Sequence, residues 1–81
     1  MKVFEIMKLY HGRYVDIDVT DLGGNSSWHS VDRDNKALKD RLHLFDQCDV
    51  YGIEVGKAYD DEPVLTILCN APMESMQVFD S

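Results

Sequence analysis

Three carboxylates near the start of the chain have the spacing that most directly suggests chemistry. Asp16 and Asp18 alternate with apolar residues and therefore share one face of a predicted strand. Glu5 lies in a preceding strand-like run, and a two-residue turn at His11-Gly12 would place Glu5 directly opposite Asp18. Carboxylate oxygens are the ligands that Mg²⁺ and Ca²⁺ prefer. One interpretation is therefore a metal-binding domain or a cation-dependent enzyme that uses these three residues.

The same carboxylates are also typical of a surface that docks a basic protein. Like charges directly opposite each other destabilise a strand pair. A Lys or Arg side chain from a partner would relieve that repulsion, and a repulsion that the fold tolerates in water is the third interpretation. Because Asp-x-Asp arises often by chance in acidic chains, docking is favoured over metal binding, and we predict neither a metal site nor a cofactor.

Two other groupings hold residue types that are used in catalysis or zinc binding. His29 lies among serines and near Asp32, which together supply a nucleophile, a base and an orienting acid, but nothing in one short segment forces them to converge. His43, Cys48 and Cys69 lack the paired short spacings of a four-ligand zinc site. We therefore predict no catalytic residues and a protein that is not an enzyme.

The charge of the chain is unevenly distributed. There are 15 acidic and 8 basic residues, for a net charge of −7. Residues 1–41 carry seven of each sign, whereas residues 42–81 carry eight acidic residues and one basic residue. Such a chain is poorly suited to bind nucleic acid phosphates directly, and its acidic surface would attract a basic protein. A solvated surface that keeps a small protein soluble is the alternative.

The elements that must position these side chains follow from the apolar pattern. Alternation predicts strands over Tyr14–Thr20 and Val50–Val55, and the nearly all-apolar run Val64–Cys69 predicts a central strand covered on both faces. Lys2–Tyr10 is also strand-like and would form a hairpin with the strand at Tyr14. Apolar residues at helical spacing predict one helix from about Asp34 to Gln47.

A short last strand at Met76–Phe79 completes the predicted order β-β-α-β-β-β. We expect an α+β fold in which a mainly antiparallel sheet of four to five strands packs one helix on one face. The hairpin register would pair Ile6 with Ile17 and Phe4 with Val19. The length of 81 residues favours a single compact domain spanning residues 1–81.

The opposite face of the predicted hairpin mixes carboxylates with large apolar groups, which favours cover by a partner or by a second copy of the chain. A structural homodimer that buries an apolar sheet face is therefore another alternative. The apolar members of this face are Val3, Met7, Leu9 and Tyr14.

The chain has no apolar run near the ~18 residues of a membrane span, so no membrane association is expected. Its first eight residues are charged at positions 2, 5 and 8 and lack the apolar stretch of a secretory signal. We expect a cytoplasmic protein. Cys48 and Cys69 should then be free thiols that are at least partly buried.

Three short segments in the second half, Ala58-Tyr59-Asp60, Ala71-Pro72 and Asp80-Ser81, resemble the end of the small acidic uracil-DNA glycosylase inhibitor family of bacteriophages. The resemblance covers a handful of residues, requires gaps and does not extend to the helical first half of that family. It illustrates a class of small acidic domains that block a basic nucleic-acid groove.

We predict a small acidic protein-binding module that docks a basic, nucleic-acid-binding site on a partner protein. Size and charge favour an inhibitor or adaptor encoded by a phage or mobile element. Trp28 is either a lid over the core or an interface anchor, because tryptophan is enriched among the residues that dominate binding. The candidate partner-binding residues are Glu5, Asp16, Asp18, Trp28, Glu54, Asp60, Asp61 and Glu62.

Overall fold

The computed structural model of the chain describes residues 1–21, 23–35, 40–58 and 60–71. This part of the chain is an α+β fold with one α-helix, one 3₁₀ helix and a four-stranded sheet, so the predicted class is confirmed. None of its helices has the length and apolar character needed to cross a membrane. The elements are α1 (Val3–Leu9), β1 (Tyr14–Thr20), β2 (Ser26–Asp32), the 3₁₀ helix (Asp40–Phe45), β3 (Asp49–Lys57) and β4 (Pro63–Asn70).

The sheet is mixed, in the order β2-β1-β4-β3, and the prediction of a mainly antiparallel sheet was wrong. β1 runs parallel to β4, while the two outer pairs are antiparallel. Ile17 of β1 lies opposite Ile67 of β4, and both are fully buried. A parallel pair needs a long connection, which residues 21–62 supply. The two most apolar strands thereby become neighbours at the centre of the sheet.

The N-terminal segment is a helix, so the predicted strand Lys2–Tyr10 and its hairpin were wrong. Val3 and Ile6 are three residues apart, which places both on one helical face, and both are buried in the core. The backbone N–H of Lys2 donates to Glu5 Oε1 at 3.1 Å and satisfies a free donor at the helix start. Packing against the core, together with this cap, stabilises a helix too short to form alone.

Because α1 is a helix, the predicted pairs of Ile6 with Ile17 and of Phe4 with Val19 do not form. The segment at His11-Gly12 links α1 to β1. Backbone bonds instead attach the N-terminus to the segment before β3. The N–H of Val3 donates to the Cys48 carbonyl at 3.1 Å, and the N–H of Val50 donates to the Met1 carbonyl at 2.8 Å.

The middle of the chain also differs from the prediction. The segment before Asp34 forms β2, in place of the expected irregular stretch. Where a helix was expected from Asp34 to Gln47, the described residues contain only the 3₁₀ helix, and residues 36–39 lie outside them. Leu42 and Phe45 are nevertheless buried, as the predicted apolar stripe required. The predicted last strand at Met76–Phe79 also lies outside the described residues.

The core lies on one side of the sheet, which we call the inner face, beneath α1 and the 3₁₀ helix. Alternation along β1 directs Val15, Ile17 and Val19 to this side. The Cys48 and Cys69 thiols are free and buried here, as predicted. A hydrogen bond with Cys48 and burial raise the pKa of the Cys69 thiol, which keeps it neutral and unreactive. The core consists of Val3, Ile6, Val15, Ile17, Val19, Val31, Leu42, Phe45, Cys48, Leu65, Ile67, Cys69 and Ala71.

Candidate functional site

The side of the sheet opposite the core carries most of the predicted site residues. Directly paired residues of neighbouring strands point to the same face, so the strand register assigns each side chain to a side. Asp16 lies between Ser30 of β2 and Thr66 of β4, and Thr66 pairs in turn with Glu54 of β3. We call this side the outer face, and its central members are Asp16, Asp18, Trp28, Ser30, Glu54, Thr66 and Leu68.

Three carboxylates give the outer face its charge. Asp16 and Asp18 are half-buried in β1, and Glu54 is exposed on β3. Within the described part of the chain, no Lys, Arg or His forms an ion pair with any of the three. Their negative charge is therefore not offset by a cation from the described residues.

Trp28 lies beside one of these carboxylates. The register places it directly opposite Asp18, and 56% of its surface is exposed, so it is not a lid over the core. Leu68 borders Asp18 on the other side and covers Gly52, where an added Cβ would lie 3.0 Å from the Leu68 Cδ1 atom. Asp18 is thus flanked by an exposed indole and an aliphatic side chain.

One cation lies at the end of this face and is already paired. Arg13 donates from Nε and Nη2 to the two carboxylate oxygens of Asp32, each at 2.9 Å. Its Nε also lies 3.4 Å from an Asp34 oxygen, and its guanidinium lies 5.0 Å from the Tyr14 ring centroid. The bond from Arg13 lowers the pKa of Asp32. Arg13 therefore neutralises Asp32 and Asp34 instead of the central carboxylates.

The predicted charged turn before Pro63 joins the same end of the outer face. The Tyr14 hydroxyl donates to Asp60 Oδ2 at 2.8 Å. This bond raises the pKa of Tyr14 to about 12 and lowers the pKa of Asp60, because it favours the neutral phenol and the charged carboxylate. Asp61 and Glu62 are exposed in the turn, where Asp61 adopts a positive φ of 67°.

Glu5 does not belong to this group. It lies on α1, which packs against the inner face, so the sheet separates it from Asp16 and Asp18. Its carboxylate caps the first turn of its own helix. The described residues hold no group of three or more His, Cys, Asp or Glu side chains that could bind a metal ion. The three carboxylates proposed from the sequence are thus not assembled into one site.

The serine–histidine grouping is also divided between the two faces. Ser27 Oγ lies 2.9 Å from His29 Nε2, and both side chains are on the inner side of β2. Asp32 belongs to the outer face and binds Arg13, so it does not orient His29. His43 is paired with Asp46 at 3.2 Å, on the exposed side of the 3₁₀ helix.

Sequence reasoning missed Ser30, Thr66 and Leu68 as members of the outer face. Alternation within β4 was hidden because Leu68 and its inward neighbours are all apolar. Thr66 was the one visible signal, since a single polar residue in an apolar run marks the side that leaves the core.

No protein family, curated protein or solved structure matches this chain. The fold and the site define a small α+β protein with an acidic sheet face. Its function must therefore be inferred from the chemistry of that face.

Proposed function

We propose that this protein is a binding module that docks a basic, nucleic-acid-binding site of a partner protein through its outer face. The observation that supports the proposal is the grouping of Asp16, Asp18 and Glu54 around Trp28 on one face, with no ion-pairing cation among the described residues. A partner that supplies Lys or Arg side chains would complete this surface.

The charge and the indole contribute in different ways. Carboxylates on a surface accelerate encounter with a basic patch and disfavour approach to a nucleic acid. Trp28 offers a large rigid ring whose burial would slow dissociation. An acidic face of this kind competes with phosphates for the same cations, which supports an inhibitor more directly than an adaptor.

The experiment compares two triple variants that remove the same charge. One carries Asp16→Asn, Asp18→Asn and Glu54→Gln on the outer face. The matched control carries Asp60→Asn, Asp61→Asn and Glu62→Gln in the turn. Each is measured by biolayer interferometry against the partner that wild-type protein captures from host extract at low salt and releases at high salt.

We expect the outer-face triple variant to associate about tenfold more slowly, with a flatter salt dependence, because steering charges act mainly on the association rate. The turn variant should change less. Trp28→Ala should instead increase the dissociation rate by about tenfold or more, as for an interface anchor. Nucleic acid should compete with the protein for the partner. Unchanged rates and salt dependence in both triple variants would refute the proposal.

A second candidate, a structural homodimer, is favoured by the edge strand β3. Ile53 and Val55 expose 49% and 76% of their surfaces, and Tyr51 exposes 58%. Apolar side chains on an edge strand are suited to pairing with another strand. Sedimentation velocity over a range of concentrations tests this candidate, and a monomer at all concentrations would reject it.

A further inference from the structure

An apolar cleft opens between α1 and the 3₁₀ helix, on the side of the molecule away from the outer face. Its volume is about 380 Å³, within the range of pockets that hold small organic ligands. Its apolar lining comes from Phe4 and Met7 of α1, both half-buried, and from Leu42 of the 3₁₀ helix, which is buried.

The charged groups at this cleft are mostly cationic. Lys8 and Arg33 line it, with His43 and Asp46 paired to each other at 3.2 Å. The Lys8 ammonium lies 5.2 Å from the Phe4 ring centroid, at the apolar wall. In a chain whose net charge is −7, this cleft is a local positive region. Its charge therefore favours an anion.

Arg33 is the fixed cation of the cleft. Its Nη1 donates to the carbonyl oxygens of Tyr10 and Gly12, the latter at 3.1 Å, which holds the guanidinium in place. Among the residues that the structure places, no carboxylate forms an ion pair with it. Arg33 also lines an adjoining polar recess of about 260 Å³. Its other N–H groups remain free of partners within the described ranges, and a guanidinium binds a carboxylate through two parallel bonds.

We propose that this cleft binds an amphiphilic monocarboxylate of the fatty-acid class. The alkyl chain lies against Phe4, Met7 and Leu42, and the carboxylate pairs with Arg33, assisted by Lys8. The apolar lining excludes a bare inorganic anion as the preferred ligand, because such an anion would leave that surface uncovered. This proposal does not depend on the proposed function, since the cleft and the outer face lie on opposite sides of the sheet.

The test uses octanoate as the probe and follows the methyl resonances of Met7 and Leu42 by nuclear magnetic resonance. Octanol and octyltrimethylammonium have the same chain with no charge and with a positive charge, and acetate has the charge without the chain. We expect a saturable shift with octanoate, binding about tenfold weaker for octanol, and no saturation with the other two probes.

Variants of the cleft make the assignment specific. Lys8→Gln and Arg33→Gln should each weaken octanoate binding, the second by about tenfold. Met7→Trp should abolish it by filling the apolar part. Lys57→Gln removes one positive charge from the exposed end of β3 and should leave binding unchanged. If Arg33→Gln fails to fold because it loses the bonds to the connection before β1, Lys8→Gln and Met7→Trp decide the matter.

Three results would overturn the proposal. The first is the absence of a saturable shift with octanoate. The second is equal affinity for octanol, which would show that the anion is not recognised. The third is octanoate binding that survives both Met7→Trp and Lys8→Gln, which would place the ligand elsewhere.

Discussion

Among single side chains, the pair Tyr14 and Asp60 shows how one hydrogen bond joins a strand to a distant turn. The phenol donates and the carboxylate accepts, so the bond exists only while the phenol is protonated and the acid is charged. The pKa of Tyr14 is raised and that of Asp60 is lowered for this reason. The bond therefore stabilises the fold from above the ordinary pKa of Asp60 up to the ordinary pKa of Tyr14.

We expect the Tyr14 phenol to titrate at a pKa of about 12, above its ordinary value of 10.0. The stabilisation from the bond should be lost as pH rises between these two values, since the unfolded phenol ionises first. Asp60→Asn should lower the Tyr14 pKa towards 10.0. Asp61→Asn, in the same turn but without this contact, should not. The measurement is a titration of the Tyr14 ring resonances, and a wild-type pKa near the ordinary value would contradict the bond.

Among the elements, the strands with a strong apolar pattern could be predicted. Tyr14–Thr20 matches β1, and the runs Val50–Val55 and Val64–Cys69 lie within β3 and β4. In each, alternation or continuous apolar character extends far enough to indicate a strand and to show which side chains enter the core. The placement of Asp16 and Asp18 on one face followed from the same alternation.

The elements that failed have weaker local signals. α1 spans only seven residues, so its apolar residues fit a strand as well as a helix, and Lys2 lacks a typical capping side chain. β2 contributes one strongly buried apolar residue, Val31, and its other inward residues are Ser27 and His29. Both elements are fixed by what they pack against. Local sequence does not contain that information.

The burial of β1 predicts a large difference between two identical substitutions. Ile17→Ala should lower the free energy of unfolding by about 2–5 kcal/mol, because Ile17 is fully buried at the centre of the sheet. Ile53→Ala on β3 should cost less than about 1 kcal/mol, since 49% of Ile53 is exposed. Urea denaturation measures both. Similar losses at the two positions would show that the strand faces are wrongly assigned.

Across the molecule, the sheet separates two chemically different sides. The outer face is acidic, whereas the cleft beneath α1 contains Lys8 and Arg33. Trp28 and Glu54 reach the same face only because β2, β1, β4 and β3 are neighbours in that order. Strand order depends on long-range packing, so this grouping could not be predicted from the spacing of residues along the chain.

This separation leads to a prediction about divalent cations. Because Glu5 lies across the sheet from Asp16 and Asp18, we expect millimolar Mg²⁺ or Ca²⁺ to raise the melting temperature no more than NaCl of equal ionic strength. A bound ion would add stability by mass action. Differential scanning fluorimetry makes the comparison. A saturable shift that Asp16→Asn removes would show a cation site on the outer face.

The parallel pairing of β1 with β4 also determines when the chain can fold. β1 ends at Thr20, yet its partner begins only at Pro63, so the centre of the sheet closes a loop of residues 21–62. Contacts so distant along the chain slow folding, because the entropy of loop closure opposes them before any burial occurs. During synthesis, β1 and its buried valines must wait until β4 has left the ribosome. The nascent chain consequently exposes Val15, Ile17 and Val19 for most of its translation.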